Sequence, residues 1–329
     1  MHPHPYLRRL VWGLASAGCA TLGLPALAEQ PFPSHAVTIV VPAGAGSGPD
    51  ANARRIAAAL SASLGQTVIV DNRAGAAGIS GTDFAAHARP DGYTLYMGTN
   101  AALCINPALY SKLPYDPQRS FVPVTMATRG HPVLLVDPRL PIHTLGEFVA
   151  YAKQHPGELN FASSGNGSTS HLAGELLKSV ASIDLAHVAY KEEARAIADV
   201  IGGQVQATIA FGAVAVAHVK AGRLRALAVA GPHRNPLLPE VPTSSEQGLP
   251  GFEVSGWIGF LLPSGTPPEI VARWNREITA AVKARDYVEW LHSLGSDAVG
   301  NSPQEFAAQI RADGERWGGI ARSAGVHLD

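Results

Sequence analysis

A run of β-branched residues, Val37-Thr38-Ile39-Val40-Val41, stops at Pro42 and gives way to a glycine-rich stretch over residues 43–48. The run reads as a strand. Residues 51–64 are alanine-rich, with apolar positions at helical spacing, and Gly65 closes them. Residues 67–70 read as a second strand and 93–97 as a third. The order β-α-β-α-β is the start of a parallel sheet with helices on its faces.

The alternation resumes after Pro132. Val133-Leu134-Leu135-Val136 reads as a strand, and residues 145–155 as a helix ended by Pro156-Gly157. Residues 159–162 form a strand that runs into Ser163-Ser164-Gly165-Asn166-Gly167-Ser168, and a helix starts near Thr169 or Ser170 and continues to about Val180. Further strands fit residues 186–190, 205–211 and 224–230, with helices at 194–201 and 214–221 between them. The tail adds a strand over 254–262 and helices over 268–284 and 303–324. Two α/β units joined by one outgoing crossing (residues 124–130) and one returning crossing (251–259) describe a bilobed binding protein. Residues 29–126 and 252–329 then form lobe 1, and residues 127–251 lobe 2.

At 329 residues the chain is long enough for two cores. Charged residues make up 16% and the formal net charge is -1, so no basic face for nucleic acid is suggested. At the N-terminus, Arg8 and Arg9 precede a mostly apolar stretch over residues 10–24. Ala26-Leu27-Ala28 then supplies the small-x-small pattern of a cleavage site. Residues 1–28 read as a signal peptide, with the mature protein beginning at Glu29 in the periplasm. An N-terminal membrane anchor is the competing reading, and the glycines, Pro25 and the cleavage site argue against it. Cleavage before Cys19, as in a lipoprotein, would put Ser16 where an apolar residue is expected. Once the signal is gone, Cys104 is left without a cysteine partner and reads as a small buried residue.

Chemistry in open α/β sheets sits beyond the C-terminal strand ends, where free N–H groups at helix N-termini favour anions. Each unit has such a loop, residues 43–50 in the first and 163–170 in the second. Asp50 reads first as the N-cap of the following helix, and Ser168, Thr169 and Ser170 include the cap of theirs. His171 reads equally as a surface histidine or as a cleft residue. Enzyme motifs fail. The first loop lacks the Gly-Lys-Ser/Thr ending of a P-loop, and Pro49 takes the place of the third glycine of a dinucleotide fingerprint. The sequence shows no Gly-x-Ser-x-Gly, His-Glu-x-x-His or Cys-x-x-Cys. No cofactor, metal or catalytic residue is expected, and the protein is read as a binder, not an enzyme.

Several stretches together resemble the tripartite tricarboxylate transporter receptor family, also called the Bug proteins. They include Val40-Val41-Pro42 with its glycine loop and Asp50, Asp71-Asn72-Arg73-Ala74-Gly75-Ala76-Ala77-Gly78, and Arg89-Pro90-Asp91-Gly92-Tyr93-Thr94-Leu95. Ile105-Asn106-Pro107-Ala108-Leu109-Tyr110, Leu113-Pro114-Tyr115-Asp116-Pro117, the 161–168 loop, Gly202-Gly203-Gln204-Val205 and residues 220–227 also match. The resemblance spans nearly all of the expected mature chain. It implies a two-lobe, type II-like periplasmic binding fold, each lobe a mainly parallel sheet flanked by helices. It implies a small carboxylate ligand held by backbone amides, hydroxyls and bridging waters, with transporter permease subunits as partners of a monomeric receptor. By family position, Ala43, Gly44, Ser47 and Asp50 face the cleft from lobe 1, with Thr99 and Asn100 nearby. Ser163, Ser164, Asn166, Gly167, Ser168 and His171 face it from lobe 2, with Tyr190 and Phe211.

The sequence departs from the family at three places. Ala43 stands where an aromatic or bulky residue is usual, Pro49 where Thr is usual, and Glu192-Glu193 where two glycines follow Tyr190-Lys191. Carboxylates facing the cleft would oppose a di- or tricarboxylate and favour a ligand that also carries a positive or donor group. Beside the transport receptor stand two other readings: a sensor-coupled or orphan binding protein, and, more remotely, a periplasmic hydrolase or isomerase.

Overall fold

The computed structural model describes residues 32–328; the segment read as a signal peptide lies outside the described residues. Strand β1 (Val37–Val41) forms where its β-branched run places it, with Val37, Ile39, Val40 and Val41 fully buried. It lies between β2 (Val68–Asn72) and β3 (Thr94–Thr99) and runs parallel to both. Stiff β-branched side chains suit a strand covered on both faces. Helix α1 (Gly48–Leu64) connects β1 to β2 and ends at Gly65, whose φ of 64° is left-handed, while α2 (Ile79–Ala86) and the short α3 (Asn106–Leu109) follow β2 and β3.

Three further strands complete this sheet through antiparallel pairings: β4 (Phe121–Gly130), which leads out to the second unit, and the returning β10 (Gly256–Pro263) and β11 (Ser296–Ala298), in the order β11-β4-β10-β3-β1-β2. The second sheet takes β5 (Val133–Val136), β6 (Asn160–Ser163), β7 (Ala186–Ala189), β8 (Ala207–Ala210) and β9 (Arg225–Val229), in the order β7-β6-β8-β5-β9. Here β7, β6 and β8 are parallel, while β5 runs antiparallel to β8 and β9. Each sheet therefore groups its parallel, loop-bearing strands and closes with antiparallel ones. The two connections between the sheets lie side by side. His131 Nδ1 is 2.8 Å from the carbonyl of Val254, and Gly130 is paired with Gly256.

One core fills the face of the first sheet beneath α1, α8 (Pro268–Val282) and α9 (Arg285–His292), around Ile39, Leu60, Trp274 and Ile278. A second runs from the opposite face of that sheet through Leu103, Ile105 and Leu109 into the second unit. There it includes Phe148 of α4 (Leu145–Gln154), Phe161, and Leu172 and Leu177 of α5 (Thr169–Ala181). Helix α10 (Pro303–Ala324) is anchored over this junction by Asp313, whose carboxylate accepts the Trp257 indole N–H at 2.7 Å.

Some elements differ from the sequence reading. α1 starts three residues before the expected Ala51, because Pro49 at the second helical position sacrifices no intrahelical bond. Its N-cap is Ser47, not Asp50. The helix expected over 268–284 forms as α8, and α9 is a further helix that the sequence reading did not assign, set off from α8 by the extended Ala284. The strand β4 carries no strong sequence signal. Pro123 interrupts it, and its pairing with β10 shifts register just there.

Candidate functional site

The C-terminal ends of β1, β2 and β3 share one edge of the first sheet. Loop one leaves β1, and its shape is set by a chain of polar contacts. Ser47 Oγ accepts the Asp50 N–H at 3.4 Å, capping α1. Asp50, only 3% exposed, turns its Oδ2 back onto the Gly46 N–H at 2.8 Å and accepts Arg54 Nε at 3.0 Å. Arg54 first, and the Gly46 N–H next, hold the Asp50 carboxyl below its usual range. Arg54 also donates to Asn72 Oδ1, and Asn72 Nδ2 donates to the Ala43 carbonyl, each at 3.2 Å. Gly44 and Gly46 are exposed, and Ala43 and Ser47 half-buried. Asp50 thus braces the loop through its hydrogen bonds.

At the end of β3, Thr99 Oγ1 accepts the Ala102 N–H at 3.2 Å. Asn100 is 2% exposed, yet neither side-chain polar atom has a partner among the described residues. A buried amide left so costs roughly 1–3 kcal/mol. After it the backbone makes a π-helical turn, Ala101–Ile105, in which the Asn106 N–H reaches back to Ala101. Pro107 has no N–H with which to continue a regular α-helix at this point. The sequence assigned no individual role to the loop after β2, where Ala76 and Ala77 take φ of 46° and 53° between Gly75 and Gly78. Left-handed alanine costs roughly 1–2 kcal/mol. The strain is held partly by Asn106, which donates to the Ala77 carbonyl at 3.1 Å.

Loop two leaves β6, between β7 and β8. Ser163 is fully buried, and its Oγ lies 2.6 Å from His187 Nε2. Ser164 and Asn166 are exposed, and the Ser164 N–H donates to Ser170 Oγ at 3.1 Å. Ser168 is the N-cap of α5, accepting the His171 N–H at 3.2 Å. Gly167 takes φ of 75°, and a Cβ there would lie 2.6 Å from Leu328 Cδ1 and 2.7 Å from Leu109 Cδ1. Loop two therefore meets the first unit at a point where only glycine fits. Of the two readings of His171, the surface one fails: the residue is 5% exposed, and its Nδ1 accepts the Gly167 N–H at 3.1 Å.

Tyr190 and Phe211 follow β7 and β8. The Tyr190 hydroxyl is committed to Asp199 Oδ2 at 3.0 Å on α6 (Glu193–Ile201). Phe211 is the N-cap of α7 (Gly212–Lys220), and its ring packs against the paired glycines at the crossing. A Cβ on Gly256 would stand 3.0 Å from it. Glu192 is exposed, whereas Glu193 is half-buried and accepts the Phe211 N–H at 3.3 Å.

Beneath loop two the rings of His171 and His187 stack at 3.8 Å, and Phe161 stacks on His187 at 4.9 Å. Burial, then repulsion from His171 and Lys178, pushes the His187 pKa down to about 4. Burial likewise lowers that of His171, against the opposing pull of Glu175. Between about pH 6.5 and 4 the unfolded chain binds protons that folded His187 refuses, so stability falls as pH falls through that window. Thermal unfolding between pH 7.5 and 4.5 is expected to show this decline, and His187→Gln to flatten part of it. An unchanged slope in the variant would place the proton uptake elsewhere.

Two α/β units joined by a double crossing, each presenting a capped helix N-terminus at its C-terminal strand edge, define a bilobed solute-binding protein. The model for the tripartite tricarboxylate transporter family receptor matches residues 52–326, and the chain belongs to that family. Its relatives include the UPF0065 protein in the tcbD-tcbE intergenic region of Pseudomonas sp. (strain P51), 40% identical over 94% of this chain and 92% of the relative. Protein BugT of Bordetella pertussis is 36% identical over 94% and 95%. Among solved structures, R. palustris Rpa4515 with adipate superposes with a TM-score of 0.80 at 35% identity, covering 90% of this chain and 99% of that one. MatC from Rhodopseudomonas palustris with bound malate gives 0.75 at 34% identity, covering 88% and 99%.

Proposed function

We propose that this receptor is exported to the periplasm with residues 1–28 removed, and captures a small carboxylate between its two units for a tripartite transporter permease. The observation that carries the reading is the pair of capped helix N-termini, at Ser47 and Ser168, opening from the strand ends of the two sheets. Both offer N–H groups and partial positive charge to an anion. The ligand set is Ala43, Gly44 and Ser47 with Thr99 and Asn100 from the first lobe. Ser164, Asn166, Gly167 and Ser168 supply it from the second. Asp50, Ser163, His171 and Tyr190 shape these loops from behind, and Phe211 stands at the crossing. The unpaired amide of Asn100 suits a ligand oxygen or a bridging water. Relatives whose structures hold adipate and malate support the ligand class.

The protein is a monomeric binder, not an enzyme. Ser163 and His187 are close enough for a nucleophile and base, but Ser163 is fully buried and His187 is a weak base. The pair locks loop two. Ligand stabilises a closed arrangement only as far as it binds that arrangement better.

The test is the melting temperature of the mature form against mono-, di- and tricarboxylates. A ligand at 100 times its Kd adds about 2.7 kcal/mol, a shift of several degrees. Flat traces across all three classes, with no carboxylate released from the denatured protein by mass spectrometry, would overturn the reading.

A further inference from the structure

The three parallel strands β7, β6 and β8 end on one crest, and loop two rises from the middle of it. Glu193 opens α6 after the strand on one side, and Phe211 opens α7 after the strand on the other. The hydrogen bond from the Phe211 N–H to Glu193 Oε1 therefore spans the crest above β6. Gly165 of loop two lies against the same segment, since a Cβ there would stand 3.3 Å from the Tyr190 carbonyl. A carboxylate thus sits on the lip of the loop that, in the proposed function, holds the ligand's own carboxylate.

Glu193 differs from its neighbour in a way that matters. Glu192 is exposed and solvated, as an acidic residue at a helix start commonly is. Glu193 is half-buried, and among the described residues no Lys, Arg or His side-chain nitrogen lies within 4 Å of its carboxylate oxygens. Burial pushes its pKa up, against the smaller pull of the Phe211 N–H. A carboxylate withdrawn from water without a cation is costly, and a charged donor relieves the cost. The N-terminal dipole of α6 favours an acid at this position, but that effect does not require the side chain to reach across to α7.

We propose that Glu193 receives a protonated amine or other N–H donor of the ligand, so that the preferred ligand is an amino-substituted carboxylate and not a plain di- or tricarboxylate. This rests on the carboxylate-receptor reading and names the substrate class within it. The two ends of such a ligand would divide the work. The helix N-termini take its carboxylate, and Glu193 takes its cation and sets a penalty against a second anion at that end.

Matched acids test it: L-aspartate with succinate, L-glutamate with glutarate, and L-phenylalanine with 3-phenylpropionate, each titrated calorimetrically into the full mature chain. In at least one pair the amino member is expected to bind at least 10-fold tighter than its partner. Glu193→Gln should shrink that preference about 10-fold while leaving the affinity of the plain acid unchanged or improved. Glu192→Gln should leave the preference as it is. Since a merely structural role for Glu193 would weaken both members alike, the change in preference is the decisive readout. Plain acids binding as well as or better than their amino partners, or an unaltered preference in Glu193→Gln, would overturn the inference and leave the carboxylate receptor standing. If neither member of any pair binds, this inference falls, and the receptor reading is decided separately by the wider carboxylate panel and the mass spectrometry of the denatured protein.

Discussion

Trp274→Ala is expected to lower the stability of the protein by about 3–5 kcal/mol, the usual cost of emptying a buried aromatic site. Trp274 is fully buried on α8, where its indole fills the space between that helix and the first sheet. Its Nε1–H donates to the Gly92 carbonyl at 2.9 Å, and the Phe32 ring meets it edge-on with centroids 5.8 Å apart. Alanine removes the packing and leaves that carbonyl without its donor. Trp274→Phe removes the donor but keeps most of the ring, and is expected to cost about 1–3 kcal/mol. Urea unfolding of the three proteins measures the series. A loss below about 1 kcal/mol in Trp274→Ala would mean that the core collapses around the gap. Carboxylate affinity of the folded fraction should stay the same, because Trp274 lies beneath the sheet and its hydrogen bond and ring contact go to Gly92 and Phe32 rather than to the loops at the strand ends.

The strands and the two loops were legible because their determinants are local. Val37 to Val41 are β-branched in succession, Gly65 is needed for a left-handed helix end, and Ser168 precedes a helical pattern with an apolar face. Residues whose roles depend on distant partners were harder to read. His187 alternates with apolar neighbours as any strand residue does, and nothing nearby in sequence says that it meets Ser163 and His171. Tyr190 matched a family position facing the cleft, but its hydroxyl finds Asp199 one helix later. Ala76 and Ala77 look like ordinary helix formers, and only the surrounding glycines and Asn106 hold them at positive φ. Glu192 and Glu193 were indistinguishable as a dipeptide. The helix start that begins between them exposes one and turns the other towards the next strand's loop.

Asp50 separates the two kinds of information most sharply. A carboxylate at the start of a helix, in a loop matched to a ligand-binding motif, reads as a cap or as a cleft residue. In the fold the cap is Ser47, and the Asp50 carboxylate is engaged within its own loop. Its Oδ2 holds the Gly46 N–H and Arg54, and through Arg54 and Asn72 the bracing extends to the Ala43 carbonyl. Asp50→Ala frees Gly46 and leaves Arg54 unpaired on that side. The expected result is a loss of roughly 1–3 kcal/mol in stability, since hydrogen bonds to a charged group carry about that much. Carboxylate affinity should fall at least about 10-fold, because the N–H groups of loop one lose their fixed direction. Asp50→Asn keeps an acceptor for Gly46 and should lose less of both. The opposite sign is expected if Asp50 faces the ligand. Removing a like charge would then tighten carboxylate binding, and Asp50→Asn would bind better than the wild type. Calorimetric titration of one carboxylate into the three proteins decides between a brace and a contact, and tighter binding by Asp50→Asn would reject the brace.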